Sequence, residues 1–365
     1  MFKERKEKLR KYIHEKDIKA VFITNNINIY YLTGFYSNPR ERLTMYILGK
    51  DNVDYLLVPA LDKPKVSDDS ASFIITYKDH EDPIKKMDKL LPNNKDGKIG
   101  IEYSDLNLKW YSELLSLISE DYFVNIDSLI TNLRKVKSTE EINSIERAVE
   151  ITEQGIQHGI DLLNKSMTEK DIAKEIENKL YMLGASDIAF TVKVLSAESS
   201  ALPHGKPQHK KIKNDSFVLF DVGAEYKGYK ADISRTVVLG DCSEDMLKIY
   251  TVVETAINKV INAIKPGVSF SDLDKLARNY ISQKGYGEFF LHRLGHGLGL
   301  ELHEYPSIHE NNNDIIEEGM IITIEPGIYI PDLGGVRIED DILITKDSCK
   351  VLSKSINKEL YLMKN

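Results

Sequence analysis

Short apolar runs alternate with longer amphipathic stretches over the first 125 residues of the chain. Apolar runs flank a turn signal at 49–52, which predicts a hairpin. The predicted elements are a charged amphipathic helix over 2–16, a strand over 20–24, a turn, strand and glycine stop over 25–35, strands over 46–48 and 55–58, a strand over 97–102 and a helix over 106–119. This alternation predicts an α/β domain with a mixed sheet.

The pattern changes near residue 130, where a long stretch of helical periodicity begins. Ser138 and Glu141 have the spacing of a capping box, and apolar residues recur at helical spacing behind them. The elements predicted next are a helix over 168–183 with Thr168 as its N-cap, a strand-rich region from 217 onward, and helices over 245–264 and 270–284. A length of 365 residues favours two domains, which we place at 1–130 and 131–365.

Composition narrows the classes of protein that fit this pattern. A hydrophobic content of 42% and a charged content of 29% are ordinary for a globular chain. The net charge of -8 argues against nucleic acid as a partner, because binding phosphates requires a basic surface. Two cysteines are too few for a disulfide framework, and we find no signal peptide or membrane-length apolar run. We expect a cytoplasmic protein.

The first chemically suggestive feature is a hairpin that carries two aspartates. An apolar strand ends at Asp221, where a buried carboxylate is costly unless a charge or metal compensates it. If Lys227-Gly228 is a two-residue loop, Asp221 lies opposite Ser234, and Asp232 is a diagonal neighbour about 7–8 Å away. Both carboxylates then reach shared cations. The alternative is that Asp221 caps a turn and Asp232 is a solvated strand residue.

A second hairpin repeats this arrangement. The apolar run 321–324 leads to Glu325 and then to a Pro-Gly step, where the strand must end. A further strand reaches Glu339, Asp340 and Asp341 after another turn. Strand alternation puts Glu339 and Asp341 on one face and Asp340 on the other, and spacing alone leaves the choice among them open. Two such hairpins in one domain are hard to attribute to chance.

The segment 291–299 is rich in glycine and histidine. His292 and His296 are four residues apart and share a face in either a helix or a strand, while His303 follows seven residues later. Glycines on both sides of His296 allow close backbone approach and leave its imidazole uncrowded. His204 lies in a turn-forming stretch, where it could also be a solvated loop residue.

These residues form an oxygen-rich set that is large enough to hold two divalent cations. Two neighbouring metal ions can ionise a bridging water and polarise a carbonyl, which predicts a hydrolase. The candidate ligands are Asp221, Asp232, His296, Glu325 and Glu339, with Asp340 and Asp341 still open as replacements for the last.

Four motifs resemble a known family: FDVGAEYKGYKADISRT, LHRLGHGLGLELHEYP, IEPGIYIP and GVRIED. They are similar to the Xaa-Pro peptidases of the methionine aminopeptidase/prolidase superfamily, which have the pita-bread fold. NNINIYYLTGF resembles a segment of that family's creatinase-like N-terminal domain. The resemblance implies an α/β (α+β) protein in which a creatinase-like N-terminal domain precedes a pita-bread metallopeptidase domain.

The resemblance also assigns roles to individual residues. It makes Asp232 and Glu339 bridging ligands, Asp221 a ligand of one cation, and His296 and Glu325 ligands of the other. It thereby selects Glu339 over its two acidic neighbours. The resemblance implies that His204, His303 and Glu325 act in catalysis, with Glu325 carrying a proton. It also implies that His292 and Arg337 lie near the proline side of the substrate.

The expected activity is therefore metal-dependent hydrolysis of Xaa-Pro bonds by an Xaa-Pro dipeptidase (prolidase). Mn²⁺ is the first expectation for the two cations because carboxylate oxygens predominate, with Co²⁺ or Zn²⁺ as substitutes. The expected partner is a small proline-containing peptide, with no nucleic acid or membrane, and the resemblance implies a homodimer. One alternative is an Xaa-Pro aminopeptidase acting on longer peptides. More remote alternatives are a creatinase-like amidinohydrolase and a non-catalytic binding module.

Overall fold

The computed structural model describes residues 2–50, 53–88, 97–163 and 166–363. The chain divides into two compact units, Met1–Arg134 and Lys135–Asn365. Helices and strands occur in both units, which confirms the mixed α/β class. Across the described ranges, none of the helices combines the length and apolar character that a membrane crossing requires.

The first unit is built on one mixed β-sheet. Its elements are α1 (Phe2–Glu15), β1 (Ile18–Ile23), α2 (Asn26–Thr33), β2 (Met45–Gly49), β3 (Asp54–Pro59), β4 (Phe73–Tyr77), α3 (Pro83–Asp88), β5 (Lys98–Ile101), α4 (Leu108–Leu114), β6 (Phe123–Asn125) and α5 (Asp127–Lys135). The strand order is β4-β3-β2-β1-β5-β6. The β1–β2 and β2–β3 pairs are antiparallel and the others are parallel, so the predicted mixed sheet is confirmed.

Apolar side chains from adjacent strands form the core of this unit. Phe22, Met45 and Leu57 lie in one buried cluster with Trp110 and Leu114 of α4. Removing such side chains from water is the main favourable term in folding. The hairpin predicted around 49–52 is confirmed by β2 and β3, although residues 51 and 52 lie outside the described ranges.

The strand predicted within 25–35 is wrong, because this segment forms α2. The side chain of Asn25 accepts hydrogen bonds from two backbone N–H groups of the first turn and so caps the helix. Ile27 and Ile29 alternate with Asn26 and Asn28, which is the spacing of a half-buried strand, and the apolar run over 30–32 fits either element. The glycine stop is confirmed, since Gly34 ends the helix with φ of 73°.

The helix predicted over 106–119 is present but shorter. It begins after Asn107, whose side chain accepts a hydrogen bond from the backbone N–H of Trp110. The residues that follow Leu114 leave the regular helix in a series of tight turns. The apolar pattern continues through these turns, which explains the overestimated length.

The second unit contains four long helices and several small sheets in its described part. Its helices are α6 (Thr139–Asp161), α7 (Glu169–Met182), α8 (Glu244–Ala263) and α9 (Phe270–Gln283). Its strands are β7 (Asp187–Ile188), β8 (Lys193–Ser196), β9 (Ser216–Val222), β10 (Ala224–Tyr226), β11 (Tyr229–Lys230), β12 (Ile233–Leu239), β13 (Gly295–Gly297), β14 (Glu304–Ile308), β15 (Ile321–Ile324), β16 (Gly327–Ile330), β17 (Gly334–Arg337), β18 (Asp340–Ile344), β19 (Cys349–Val351) and β20 (Leu362–Met363). Helices α7, α8 and α9 agree with the predicted spans to within one residue at each end. Helix α6 begins directly after the predicted capping box of Ser138 and Glu141, which is confirmed.

Two of these sheets carry the acidic hairpins. One has the order β20-β12-β9-β8 and the other the order β14-β13-β15-β18-β19. Helices α8 and α9 pack beside them in a large apolar cluster that includes Phe217, Ile257, Phe270 and Ile322. The sheets therefore have a packed apolar support on which polar side chains can be held in fixed positions.

A buried arginine ties the two sheets together behind the acidic residues. Arg235 of β12 donates to Asp340 Oδ1 at 2.7 Å and to the carbonyl oxygen of Glu339 at 2.6 Å. It also donates to the carbonyl oxygens of Ser353 and Ile356 in the C-terminal segment. Its side chain is only 2% exposed, so these bonds replace the water that a guanidinium requires.

We predict that Arg235→Met lowers the free energy of unfolding of the metal-free protein by about 3–5 kcal/mol, because it removes one of the two cations that compensate the buried Asp340 and leaves several carbonyl oxygens without their donor. Urea denaturation followed by circular dichroism measures this change. The control is Lys248→Met, which removes an exposed cation paired with Asp245 and should cost less than about 0.5 kcal/mol. Equal losses in the two variants would contradict a scaffolding role for Arg235.

Candidate metal centre

The first acidic hairpin holds Asp221 and Asp232 close together. Lys227 and Gly228 form the turn, with φ of 52° and 83°, so the predicted two-residue loop is confirmed. Asp221 pairs with Ser234 across β9 and β12, as the predicted register requires. Asp232 lies just before β12, and both aspartates are buried.

The second pair of acids lies where a longer hairpin is interrupted. Ile324 pairs with Asp340 at the end of the β15–β18 ladder, and Gly327 begins the β16–β17 ladder. The same register sets Glu325 opposite Glu339 between the two ladders. The proline after Glu325 has no N–H to donate, which explains the break in regular pairing at this point.

The three consecutive acids 339–341 have different surroundings. Asp340 points to Arg235 and also accepts from Lys358 at 2.7 Å. Asp341 accepts a hydrogen bond from the backbone N–H of Asp232. Among the described residues, only Glu339 of the three belongs to the groups of side chains that are close enough to share a cation. Strand alternation alone could not distinguish Glu339 from Asp341.

His296 lies on β13, whose backbone passes unusually close to its neighbours. A Cβ at Gly295 would overlap the carbonyl oxygen of Thr323, so this position requires glycine. The backbone N–H of His296 donates to Thr323 Oγ1 at 3.1 Å. The predicted close approach at the flanking glycines is therefore confirmed, and it brings the imidazole toward the acids.

All five predicted ligand residues converge on one small volume. Atoms of Asp221, Asp232 and Glu339 lie within 4.8 Å of one another, as do atoms of His296, Glu325 and Glu339. His296 Nε2 is 3.6 Å from Asp232 Oδ2 and 3.5 Å from Glu325 Oε1. Overlapping groups of this kind offer enough oxygen and nitrogen donors for more than one divalent cation.

Burial of so many acids raises the pKa of most of them. Burial and the nearby acids raise the pKa values of Asp232 and Glu339 well above the usual range of carboxyl groups. Burial also raises the pKa of Glu325 to about 7. Glu339 Oε1 has no hydrogen-bond partner among the described residues. A cation site brings together desolvated carboxylates and leaves at least one of their oxygens without another partner. These residues therefore fit a bound metal.

The pKa of Asp221 shifts in the opposite direction from those of the other three acids. Burial would raise its pKa, but Arg337 and Lys193 lower it below the usual value. Asp221 Oδ2 is 2.5 Å from Arg337 Nη2 and 2.6 Å from Lys193 Nζ. The negative charge at this end of the cluster is thus already compensated by protein cations.

His296 has the tautomer that a metal ligand needs. Its Nδ1 is 3.0 Å from the carbonyl oxygen of Gly297, which can only accept, so Nδ1 carries the proton. Burial and neighbouring His303 lower its pKa to about 3, which keeps the ring neutral. The Nε2 lone pair is therefore directed at Asp232 and Glu325 and is available to a cation.

The acids open onto a cavity of about 540 Å³. His303 is exposed on its wall, with its ring centroid 4.3 Å from that of His296. The exposed His204 borders the same cavity, together with the apolar side chains of Phe190 and Leu302. A cavity of this size with a few convergent polar groups suits a small ligand.

A hydrogen-bonded chain links the remaining predicted residues to the acids. Arg337 donates to the hydroxyl of Tyr329 at 2.9 Å, and that hydroxyl is 2.9 Å from His292 Nε2. His292 Nδ1 donates to the carbonyl oxygen of Arg293. Both ring nitrogens of His292 are thus engaged within the protein, and its predicted contact with substrate stays a prediction.

Sequence reasoning missed two residues that contribute to this centre. Tyr329 lies inside the quoted motif IEPGIYIP, but a tyrosine in a strand is usually part of a core. Lys193 gave no local signal, because it approaches Asp221 only through the pairing of β8 with β9. Knowledge of that strand order, with the alternation of side chains, would have identified it.

The profile of metallopeptidase family M24 matches residues 143–346, and that of the creatinase/prolidase N-terminal domain matches residues 5–136. An uncharacterised peptidase of Staphylococcus aureus (strain MRSA252) is 39% identical over 342 residues, which cover 93% of this chain and 96% of the relative.

Two solved structures are similar over nearly the whole chain. The prolidase from Pyrococcus horikoshii OT3 has a TM-score of 0.88 and 37% identity, covering 97% of this chain and 99% of its own. The X-Pro aminopeptidase from Thermotoga maritima MSB8 has a TM-score of 0.87 and 31% identity, covering 98% of this chain and 99% of its own.

We predict that Glu325 contributes a loss of stability to the metal-free protein as the pH rises from about 4.5 to about 7. His292 and His296, whose pKa values are lowered by burial, contribute in the opposite direction, so the effect of Glu325 is measured as a difference between variants. The pKa of Glu325 is raised to about 7 in the folded protein, so the folded state retains a proton that the unfolded chain loses. Ionisation of Glu325 alone should lower the free energy of unfolding by about 3 kcal/mol over this window. Urea denaturation of the wild type and of Glu325→Gln in the presence of a chelator, repeated across the window, measures this difference.

Proposed function

Because the chain belongs to metallopeptidase family M24, we propose that it is a dinuclear-metal peptidase that hydrolyses Xaa-Pro bonds, specifically an Xaa-Pro dipeptidase. Membership of the family makes it a metal-dependent hydrolase of peptides. The observation that carries the finer proposal is the convergence of four buried carboxylates and one neutral imidazole on the wall of a single cavity. The similarity to a prolidase over nearly the whole chain supports the choice of substrate.

Two divalent cations would be held by these five residues. Asp232 and Glu339 would be shared between them, Asp221 would bind one, and His296 and Glu325 would bind the other. Mn²⁺ is our first choice because oxygen donors predominate, with Co²⁺ or Zn²⁺ as substitutes. When bound, such ions ionise a water molecule and polarise a carbonyl group.

Glu325 is the best placed of the four carboxylates to transfer a proton. Its side chain is 16% exposed, compared with 8% for Asp232, 5% for Asp221 and 2% for Glu339. It would take the proton of the attacking water and deliver it to the proline nitrogen that leaves. The other three acids line the same cavity but are less exposed.

The exposed imidazoles of His303 and His204 would act on the substrate itself. Each lines the cavity and could donate to the carbonyl oxygen as negative charge develops there, or steady the departing amine. His292 and Arg337 would face the proline side, where His292 is held by Tyr329 and by the backbone. The imide nitrogen of an Xaa-Pro bond has no hydrogen to donate, so recognition there depends on the shape of the pocket.

We predict that Asp232→Asn lowers both metal content and kcat/KM for Ala-Pro to less than about 1% of the wild-type values, because a shared ligand is lost. Metal analysis by mass spectrometry and a dipeptide assay with added Mn²⁺ measure the two effects. Asp347→Asn, at an exposed position in the same unit, is the control and should change neither. An active Asp232→Asn protein without metal would overturn the proposal.

We also predict a preference for substrate length. The dipeptidase proposal requires Ala-Pro to be cleaved at least about tenfold faster than Ala-Pro-Ala at equal concentrations, a difference of about 1.4 kcal/mol in transition-state binding. The reverse preference would indicate an Xaa-Pro aminopeptidase. Cleavage of neither peptide by metal-loaded protein would favour an amidinohydrolase or a binding module. The homodimer and the cytoplasmic location remain predictions from the sequence.

A further inference from the structure

Lys193 is a cation built into the wall of the cavity. It lies on β8 directly opposite Asp221 on β9, and its ammonium is 2.6 Å from Asp221 Oδ2. Its side chain is 26% exposed, and it lines the same cavity as His303 and Glu325. An ammonium therefore contacts the oxygen of a proposed metal ligand.

Two cations contact the same oxygen of Asp221, but they differ in mobility. Arg337 is buried, and its guanidinium is also held by Ser234 Oγ at 2.8 Å and by the hydroxyl of Tyr329. The ammonium of Lys193 has no hydrogen-bond partner other than Asp221 among the described residues. Lys193 Nζ also lies 5.4 Å from the centroid of the Phe190 ring, which is a weaker cation–π contact. Lys193 is thus the cation that can leave Asp221 without breaking a second hydrogen bond.

The opposite side of the cluster lacks such compensation. Within the described part of the chain, neither Asp232 nor Glu325 has a lysine or arginine within ion-pair distance. The imidazole of His296 lies close to both acids, and that of His292 lies 3.9 Å from Glu325 Oε2. Arg337, Arg293 and Lys193 act on Glu325 only at longer range. A cation at Asp221 meets the positive charge of Lys193 at short range, where repulsion is strong.

We propose that the Lys193 ammonium competes with a divalent cation for Asp221 and so weakens the binding of the cation on that side. This inference rests on the proposed dinuclear site. Lys193 releases Asp221 and turns into the cavity when that cation binds, whereas Arg337 stays in place.

The test is a titration of chelator-treated protein with Mn²⁺ by isothermal calorimetry, with the number of bound ions counted by equilibrium dialysis. The wild type should bind one ion tightly and a second at least about tenfold more weakly. Lys193→Met should lower the second dissociation constant at least about tenfold and leave the first within about twofold. Lys193→Arg keeps a cation opposite Asp221 and should resemble the wild type.

The matched control is Lys230→Met, which removes a similarly half-buried lysine paired with Glu225 outside the cavity. It should leave both dissociation constants unchanged. A second dissociation constant that is unchanged or larger in Lys193→Met overturns the competition while leaving the proposed function intact. A wild-type protein that binds no Mn²⁺ overturns the dinuclear site, and the inference falls with it.

Discussion

Four carboxylates buried within a few ångströms of one another repel each other and have lost their water, and the second unit is arranged around this unfavourable charge. The fold compensates one end of the cluster with its own cations, since Asp221 contacts both Arg337 and Lys193. It compensates the rest of the cluster less: Glu339 Oε2 accepts from Ser234 Oγ and is 3.9 Å from Arg337 Nε, but Glu339 Oε1 has no hydrogen-bond partner among the described residues. In the same part of the chain, Asp232 has the neutral imidazole of His296 within ion-pair distance and no lysine or arginine. A site that is incomplete in this way gains stability when it binds cations, so metal affinity and folding are linked.

The backbone resists this repulsion because both sides of Glu339 are fixed. Its N–H donates to the carbonyl oxygen of Ser234, and its own carbonyl accepts from the neighbouring Arg235. Asp340 is turned away from the cluster and neutralised by Arg235 and Lys358. The consecutive acids Glu339 and Asp340 therefore have different roles. Glu339 faces the cavity, and Asp340 anchors the sheet beside it.

The sequence predicted those parts of the structure that depend on local rules. The Lys227-Gly228 turn places glycine where φ is 83°, and this turn alone fixes the register that brings Asp221 opposite Ser234. The strand predicted within 25–35 was wrong because Ile27 and Ile29 alternate with two asparagines as in a strand, whereas the Asn25 cap decided for a helix. Lys193 was missed for a different reason. Its neighbour is set by a strand pairing between residues 28 positions apart, which no local pattern encodes.

Arg337 connects the charge of the cluster to the wall of the cavity. Its guanidinium contacts Asp221 at one edge and Tyr329 at another, and the tyrosine hydroxyl in turn holds His292. Any change of charge at Asp221 alters how strongly Arg337 is drawn toward it, and therefore how it orients Tyr329. Lys193 contacts the wall at the ring of Phe190 and, in the described part of the chain, has no hydrogen bond to Tyr329 or His292, so its movement need not disturb His292. The two cations at Asp221 thus have separable effects, because one belongs to the rigid frame of the pocket and the other borders its open space.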